Sequence, residues 1–172
     1  DATGSTMTFG HGLGVKPAVM LIKRTDSNSN GNWIVYHKNV GATKFLTLND
    51  TSAETTASTR FADTEPTSSV ATVGSELLSG GNYIAYCFAE KTGFSSMGSY
   101  TGNGNADGAF IYLGFKPAFF LIKRTDTTES WIMTDNKRGT NNDWNYLLAD
   151  TNAAEVDGDL PYEFLSNGVK MR

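Results

Sequence analysis

In 172 residues the chain has one cysteine, four prolines, two histidines and no long apolar run. Each scarcity closes off a class of explanation. Cys87 stands alone, so no internal disulfide can staple the fold and a packed core must hold it. This length suits one domain or two small ones, with enough chain for a sizeable core. No segment approaches the roughly 20 apolar residues of a membrane helix. Basic charge is scarce too: the net charge is -4 and the pI about 5.1, which argues against nucleic acid or an anionic membrane surface as partner. Helical periodicity is absent, with residues 75–78 forming one turn at most. The chain opens on Asp1 rather than Met, and the expectation is a piece of a longer polypeptide.

What the chain does have is a repeated block. Residues 13–26 return as residues 113–126, differing only at Val15/Phe115, Val19/Phe119 and Met20/Phe120, each an exchange of one apolar residue for another. A duplication of this length means that the fold is read per repeat. It also weighs against a catalytic site shared by both copies, because the identical residues have the character of scaffold. Within each copy a short apolar run, residues 18–22 and 118–122, follows Lys-Pro and precedes Lys-Arg-Thr-Asp. Runs so short and so punctuated are strands with both faces covered, with proline at the entry, where its missing N–H costs least.

A polar hairpin loop follows, two residues shorter in the second copy, and then a strand carrying Trp33 or Trp131. Residues 45–51 match 146–151 after a small slip, and residues 69–74 have a counterpart in 164–170. Residues 102–108, rich in Gly and Asn, carry turn chemistry. Residues 82–90 have no counterpart. Their two faces, Ile84/Tyr86/Phe88 and Tyr83/Ala85/Cys87, are both apolar, which predicts a central strand. The second copy therefore lacks its last strand, and continuation of the polypeptide past Arg172 is the expected source. Residues 6–9 are too short and too polar to replace it. Leu21, Ile22, Ile84, Phe88, Leu121 and Ile122 form the expected core, and Phe88→Ala would then cost about 3–5 kcal/mol.

Candidate chemistry is sparse. A hydrolytic triad needs a histidine beside a nucleophile and a carboxylate. His11 sits in a Gly-His-Gly turn and His37 at a strand end, so both read as structural. Residues 26–31 match the first half of a calcium loop, D-x-N-x-N-G, but His37 stands where the loop's final carboxylate belongs. A hairpin tip explains them better. Asp150, Asp157 and Asp159 read as a solvated acidic loop. The repeated pairs Lys23-Arg24 and Lys123-Arg124 read as strand-end cations that discourage edge pairing. Trp33 and Trp131, at equivalent places, read as core aromatics. Trp144 differs: it lies among Asn142, Asp143 and Asn145, a polar loop that offers an aromatic face and hydroxyl-bonding groups. Trp144, Asn142 and Asp143 are the expected ligand-binding residues, with no catalytic residue, metal or cofactor.

The strings GLGVKPAVMLIKRTD, NWIVYHKN, YIAYCFAEKTGF, GSYTGNGNADGAFIYLGFKPAFFLIKRTD and FLSNGVKMR together resemble repeats in large virion proteins of marine bacteriophages, cyanophages among them. These are described as tail-fibre, appendage or other structural proteins, and the likeness runs over nearly the whole chain. The resemblance implies an extracellular, β-rich virion domain and supplies no catalytic residue. The expected fold is all-β: two homologous antiparallel β-sandwich or jelly-roll-like repeats in tandem, residues 1–94 and 95–172. The expected function is a non-enzymatic structural module of a phage particle, presenting loops for host attachment or packing against neighbours. Its expected partners are other virion subunits, as a homo-oligomer with a trimer favoured, and a host cell-surface glycan. The alternative is a carbohydrate-binding module using Trp144 and the Asn-rich loops. A depolymerase is disfavoured, since no pair of carboxylates stands out.

Overall fold

A computed structural model describes residues 6–26, 31–78, 80–138, 145–158 and 162–172. The first half carries strands β1 (Thr6–Gly10), β2 (Val19–Arg24), β3 (Trp33–His37), β4 (Lys44–Thr47), β5 (Thr55–Thr56), β6 (Val70–Gly74) and β7 (Tyr83–Phe88). One short helix, α1 (Ser58–Phe61), and a 3₁₀ turn at Ser75–Leu77 interrupt them. The second half carries β8 (Phe110–Tyr112), β9 (Phe119–Ile122), β10 (Ile132–Asp135), β11 (Leu147–Leu148), β12 (Tyr162–Leu165) and β13 (Gly168–Met171). The protein is all-β, with every pairing between these strands antiparallel.

The repeated block makes the same hairpin twice. β2 pairs β3 from Val19 opposite His37 to Lys23 opposite Trp33, and β9 pairs β10 from Phe119 opposite Asp135 to Ile122 opposite Ile132. Around them the strand orders are β5-β4-β3-β2-β7 and β11-β10-β9. Two smaller sheets, β1-β6 and β12-β13-β8, complete the fold.

Strand alternation decides how these sheets stack. Met20, Ile22, Ile34 and Tyr36 leave one face of the five-stranded sheet and meet Ala71, Val73 and Phe61 beneath β1-β6. Val35 and Leu46 leave the other face and meet Trp131 of the second half. Phe120, Ile122 and Ile132 leave the far side of β11-β10-β9 and meet Tyr162, Phe164, Val169 and Met171. The result is a β-sandwich-like stack of four sheets with three buried seams. Helix α1 lies so close to β6 that a Cβ on Gly74 would stand 2.3 Å from the Thr59 carbonyl oxygen, so only glycine fits.

Three sequence expectations need correction. Residues 82–90 do not form a central strand: β7 is the edge of its sheet. Its inner face, Tyr83, Ala85 and Cys87, packs on the core, while Ile84, Tyr86 and Phe88 are 41%, 45% and 42% exposed. Two apolar faces signalled a strand covered on both sides, but the second half covers the sheet over β3 and β4 and stops short of β7. Of the expected core, Ile22 alone is fully buried; Leu21, Leu121 and Ile122 are half-buried. The counterpart of residues 69–74 is also shifted. Gly10 faces Val70 and Phe110 faces Lys170, so β6 corresponds to β13, and β12 is an added hairpin arm. Beside β9, where the first half has β7, no strand lies among the described residues.

One polar cluster ties the first half's loops to its core. Glu65 accepts hydrogen bonds from the buried Tyr36 hydroxyl (2.5 Å), the Lys16 ammonium (2.7 Å) and the Ala42 N–H (2.7 Å). Burial alone would raise the Glu65 pKa, but these donors outweigh it and hold the carboxylate below its ordinary value. Burial, and then Glu65 itself, push the Tyr36 hydroxyl upward.

Two outcomes follow from this packing. Phe61 is 1% exposed and meets Tyr36 edge-on at 5.6 Å, so Phe61→Ala should cost about 3–5 kcal/mol in urea unfolding. Phe88→Ala should cost about 1 kcal/mol or less; the reverse ranking would contradict this core. Because the Glu65 pKa is depressed in the fold, its stabilisation is present above the usual carboxylate range and fades as pH falls through the folded value. Glu65→Gln should lower Tm most near pH 7, with the gap to the parent closing below about pH 4. A gap that widens on acidification would refute it.

Candidate functional site

The outer face of the five-stranded sheet is where the two halves meet and where apolar surface is left open. Register places Phe88 beside Val19, Tyr86 beside Leu21 and Ile84 beside Lys23, with Val35 and Trp33 continuing the rows on β3. The second half seals part of this face. Trp131 is 6% exposed among Val35, Leu46, Leu48 and Leu121, and its indole N–H donates to the Thr47 carbonyl at 2.8 Å. Around it Lys123 donates to the Thr51 carbonyl (3.1 Å), Glu54 N–H to the Thr125 carbonyl (2.9 Å) and Glu129 N–H to the Thr51 carbonyl (2.9 Å). Two of these bonds are backbone to backbone, so the junction fixes orientation as well as burying area.

Beyond that seal the face is uncovered. Trp33 stacks on Tyr86 with ring centroids 6.0 Å apart and planes at 29°, and the pair continues into exposed Ile84 and Phe88. Trp33 and Trp131, equivalent in the repeat, have thus parted: one fills the seam and the other flanks open surface. A lone exposed apolar residue needs no explanation, but a contiguous aromatic strip continuous with a buried seam marks an interaction surface. β7 and β9 are both sheet edges, and Phe119 on β9 is 56% exposed. In sequence both faces of residues 83–88 are apolar, and which of the two is bare depends on which part of the sheet the second half covers.

Trp144, Asn142 and Asp143, the ligand-binding residues expected from sequence, lie outside the described residues. The other candidates have structural partners. His11 bridges a turn, its Nε2 at 3.2 Å from the Thr67 carbonyl and its Nδ1 accepting the Leu13 N–H at 3.3 Å. His37 Nδ1 accepts the Asn39 N–H, and burial followed by the neighbouring Lys38 lowers its pKa. Asp26 pairs with Arg24 and accepts the Asn82 N–H, and Asp126 pairs with Arg124. Lys23 caps the Gly31 carbonyl. Lys23, Arg24 and Arg124 therefore pin the ends of their own hairpins, while Lys123 also bonds the Thr51 carbonyl of the first half. Asp150 accepts the Trp131 N–H at 2.7 Å, as Asn49 accepts that of Trp33, so it supports the hairpin; Asp157 is exposed and Asp159 lies outside the described residues. Among the described residues no three metal-binding side chains come together.

A cleft of about 400 Å³ opens between β1 and β7, lined by Met7, Phe9, His11, Tyr83, Ala85 and Cys87. It is the unsealed edge of the first sandwich. Burial pushes the Cys87 thiol upward, away from the reactive thiolate.

A family model described as Domain of unknown function (DUF7483) matches residues 1–172, and the chain belongs to that family. No curated protein and no solved structure matches it.

The divergence of the two tryptophans is measurable. Trp131→Phe leaves the Thr47 carbonyl without its donor and should cost about 1–3 kcal/mol in urea unfolding. Trp33→Phe should change stability by about 0.5 kcal/mol or less. Equal losses would contradict the asymmetry of the junction.

Proposed function

We propose that this member of the DUF7483 family is a non-enzymatic structural module of a phage virion, of tail-fibre or appendage type. In this reading residues 1–94 and 95–172 are two homologous β-sandwich units in tandem. They form a rigid element that packs against neighbouring subunits or presents surfaces to a host, and the site of action is the extracellular particle. The observation that carries the reading is the uncovered strip of Ile84, Tyr86 and Phe88, which extends the seam already joining the two halves. The resemblance of the repeated strings to marine phage structural proteins supports it. So do β7 and β9, which end their sheets among the described residues, since an open row of backbone groups is a pairing template unless something covers it. Closed rings, with a trimer favoured, meet that need without leaving an end exposed.

The strip and the edges predict self-association. Light scattering on the 172-residue chain should give a defined oligomer, and Tyr86→Lys should shift it toward monomer without lowering Tm by more than about 2 °C, because the side chain is exposed. A parent protein that stays strictly monomeric at high concentration would refute the packing role. Sugar binding by a monomer, lost on Trp144→Ala, would favour the carbohydrate-binding alternative instead.

A further inference from the structure

The sheet β12-β13-β8 turns its other face to solvent, and that face has no folding reason to be aromatic. Phe110 lies opposite Lys170, and Tyr112 and Leu165 lie on either side of Gly168. They are 45%, 71% and 37% exposed, while their strand neighbours Ile111, Phe164 and Val169 supply the core. A hundred residues earlier, Gly10 and Gly12 stand where Phe110 and Tyr112 stand, just before the block that repeats almost unchanged. Gly10 occupies the same place in its pairing, opposite Val70, so the sheet forms without an outward aromatic there.

Gly168 makes the floor of this patch. A Cβ there would meet the Ile111 carbonyl oxygen at 2.1 Å and Phe110 Cε2 at 3.1 Å, so the strand must have glycine and the Phe110 ring leans over it. Residues two apart on a strand project on one face about 6.8 Å from each other, so Phe110 and Tyr112 lie within reach of one ligand longer than a single ring. The rim is charged yet neutralised: Lys170 holds Asp107 at 2.6 Å and Arg172 holds Glu163 at 2.7 Å. Such a rim offers donors and acceptors to hydroxyl groups while leaving no unbalanced charge to select an ion. Beside it a depression of about 450 Å³, lined by Tyr100, Asn103, Asn105 and Arg172, shares the Arg172 side of the rim.

We propose that Phe110, Tyr112 and Leu165, with Gly168 as floor, form a stacking platform for an uncharged oligosaccharide. The C–H faces of the sugar lie on the rings, as apolar surface does on any aromatic side chain, and the hydroxyls reach the paired charges at the rim. This goes beyond the structural reading and holds or fails independently of it.

The test uses the full chain and linear hexasaccharides of glucose, mannose, galactose and N-acetylglucosamine, followed by saturation-transfer NMR and titration. At least one should bind, with little dependence on salt. Binding should fall at least tenfold in Tyr112→Ala and in Phe110→Ser/Tyr112→Ser, and recover in Tyr112→Trp. The melting curve of Tyr112→Ala serves as the fold control, since that side chain is the most exposed of the three. Silence across the four sugars would overturn the proposal. So would binding that survives both variants, binding that requires a sulfated or carboxylated sugar and vanishes in salt, or loss of self-association in the double variant with no sugar bound.

Discussion

Trp131 closes the space between the five-stranded sheet and the three-stranded sheet behind it, and the layout of the protein depends on that closure. Its ring fills the gap over Val35 and Leu46, and its indole N–H satisfies a Thr47 carbonyl that would otherwise be buried without a donor. The neighbouring bonds from Lys123, Glu54 and Glu129 then fix how the second half sits on the first. With the halves locked there, the sheet is sealed over β3 and β4 and open over β7. The outermost sheet, β12-β13-β8, is likewise left with a free face.

The same seam explains why the two copies of the repeated block have unlike surroundings. β2 and β9 arise from the repeated block, yet β2 is flanked on both sides while β9 ends its sheet among the described residues. Lys23 caps a carbonyl of its own loop, whereas Lys123 reaches across to Thr51 of the other half. A duplicated sequence carries the same local instructions twice, but burial depends on what lies across the face, and that differs between first and second position.

How much was legible in the sequence follows that division. The hairpins of the repeated block, the all-β class and the turns at Gly-rich segments follow from period-two alternation and turn chemistry, which are local. The edge position of β7 was not legible. Apolar residues on both faces of residues 83–88 predict cover on both sides, and only the offset of the second half shows that one side is bare. In sequence the hairpin of β12 and β13 runs together as a single stretch, because Ser166-Asn167 is a short turn between two apolar runs. The outward direction of Phe110 and Tyr112 was not legible either, because alternation on β8 is anchored only once Ile111 is seen in the core.

If the Trp131 seam is a true core rather than a contact between independent bodies, the two halves must unfold together. Differential scanning calorimetry of the 172-residue chain tests this directly. The account predicts one transition, with calorimetric and van't Hoff enthalpies equal per cooperative unit and the midpoint of near-UV signals from both halves coincident. Two separable transitions, one for each half, would contradict it.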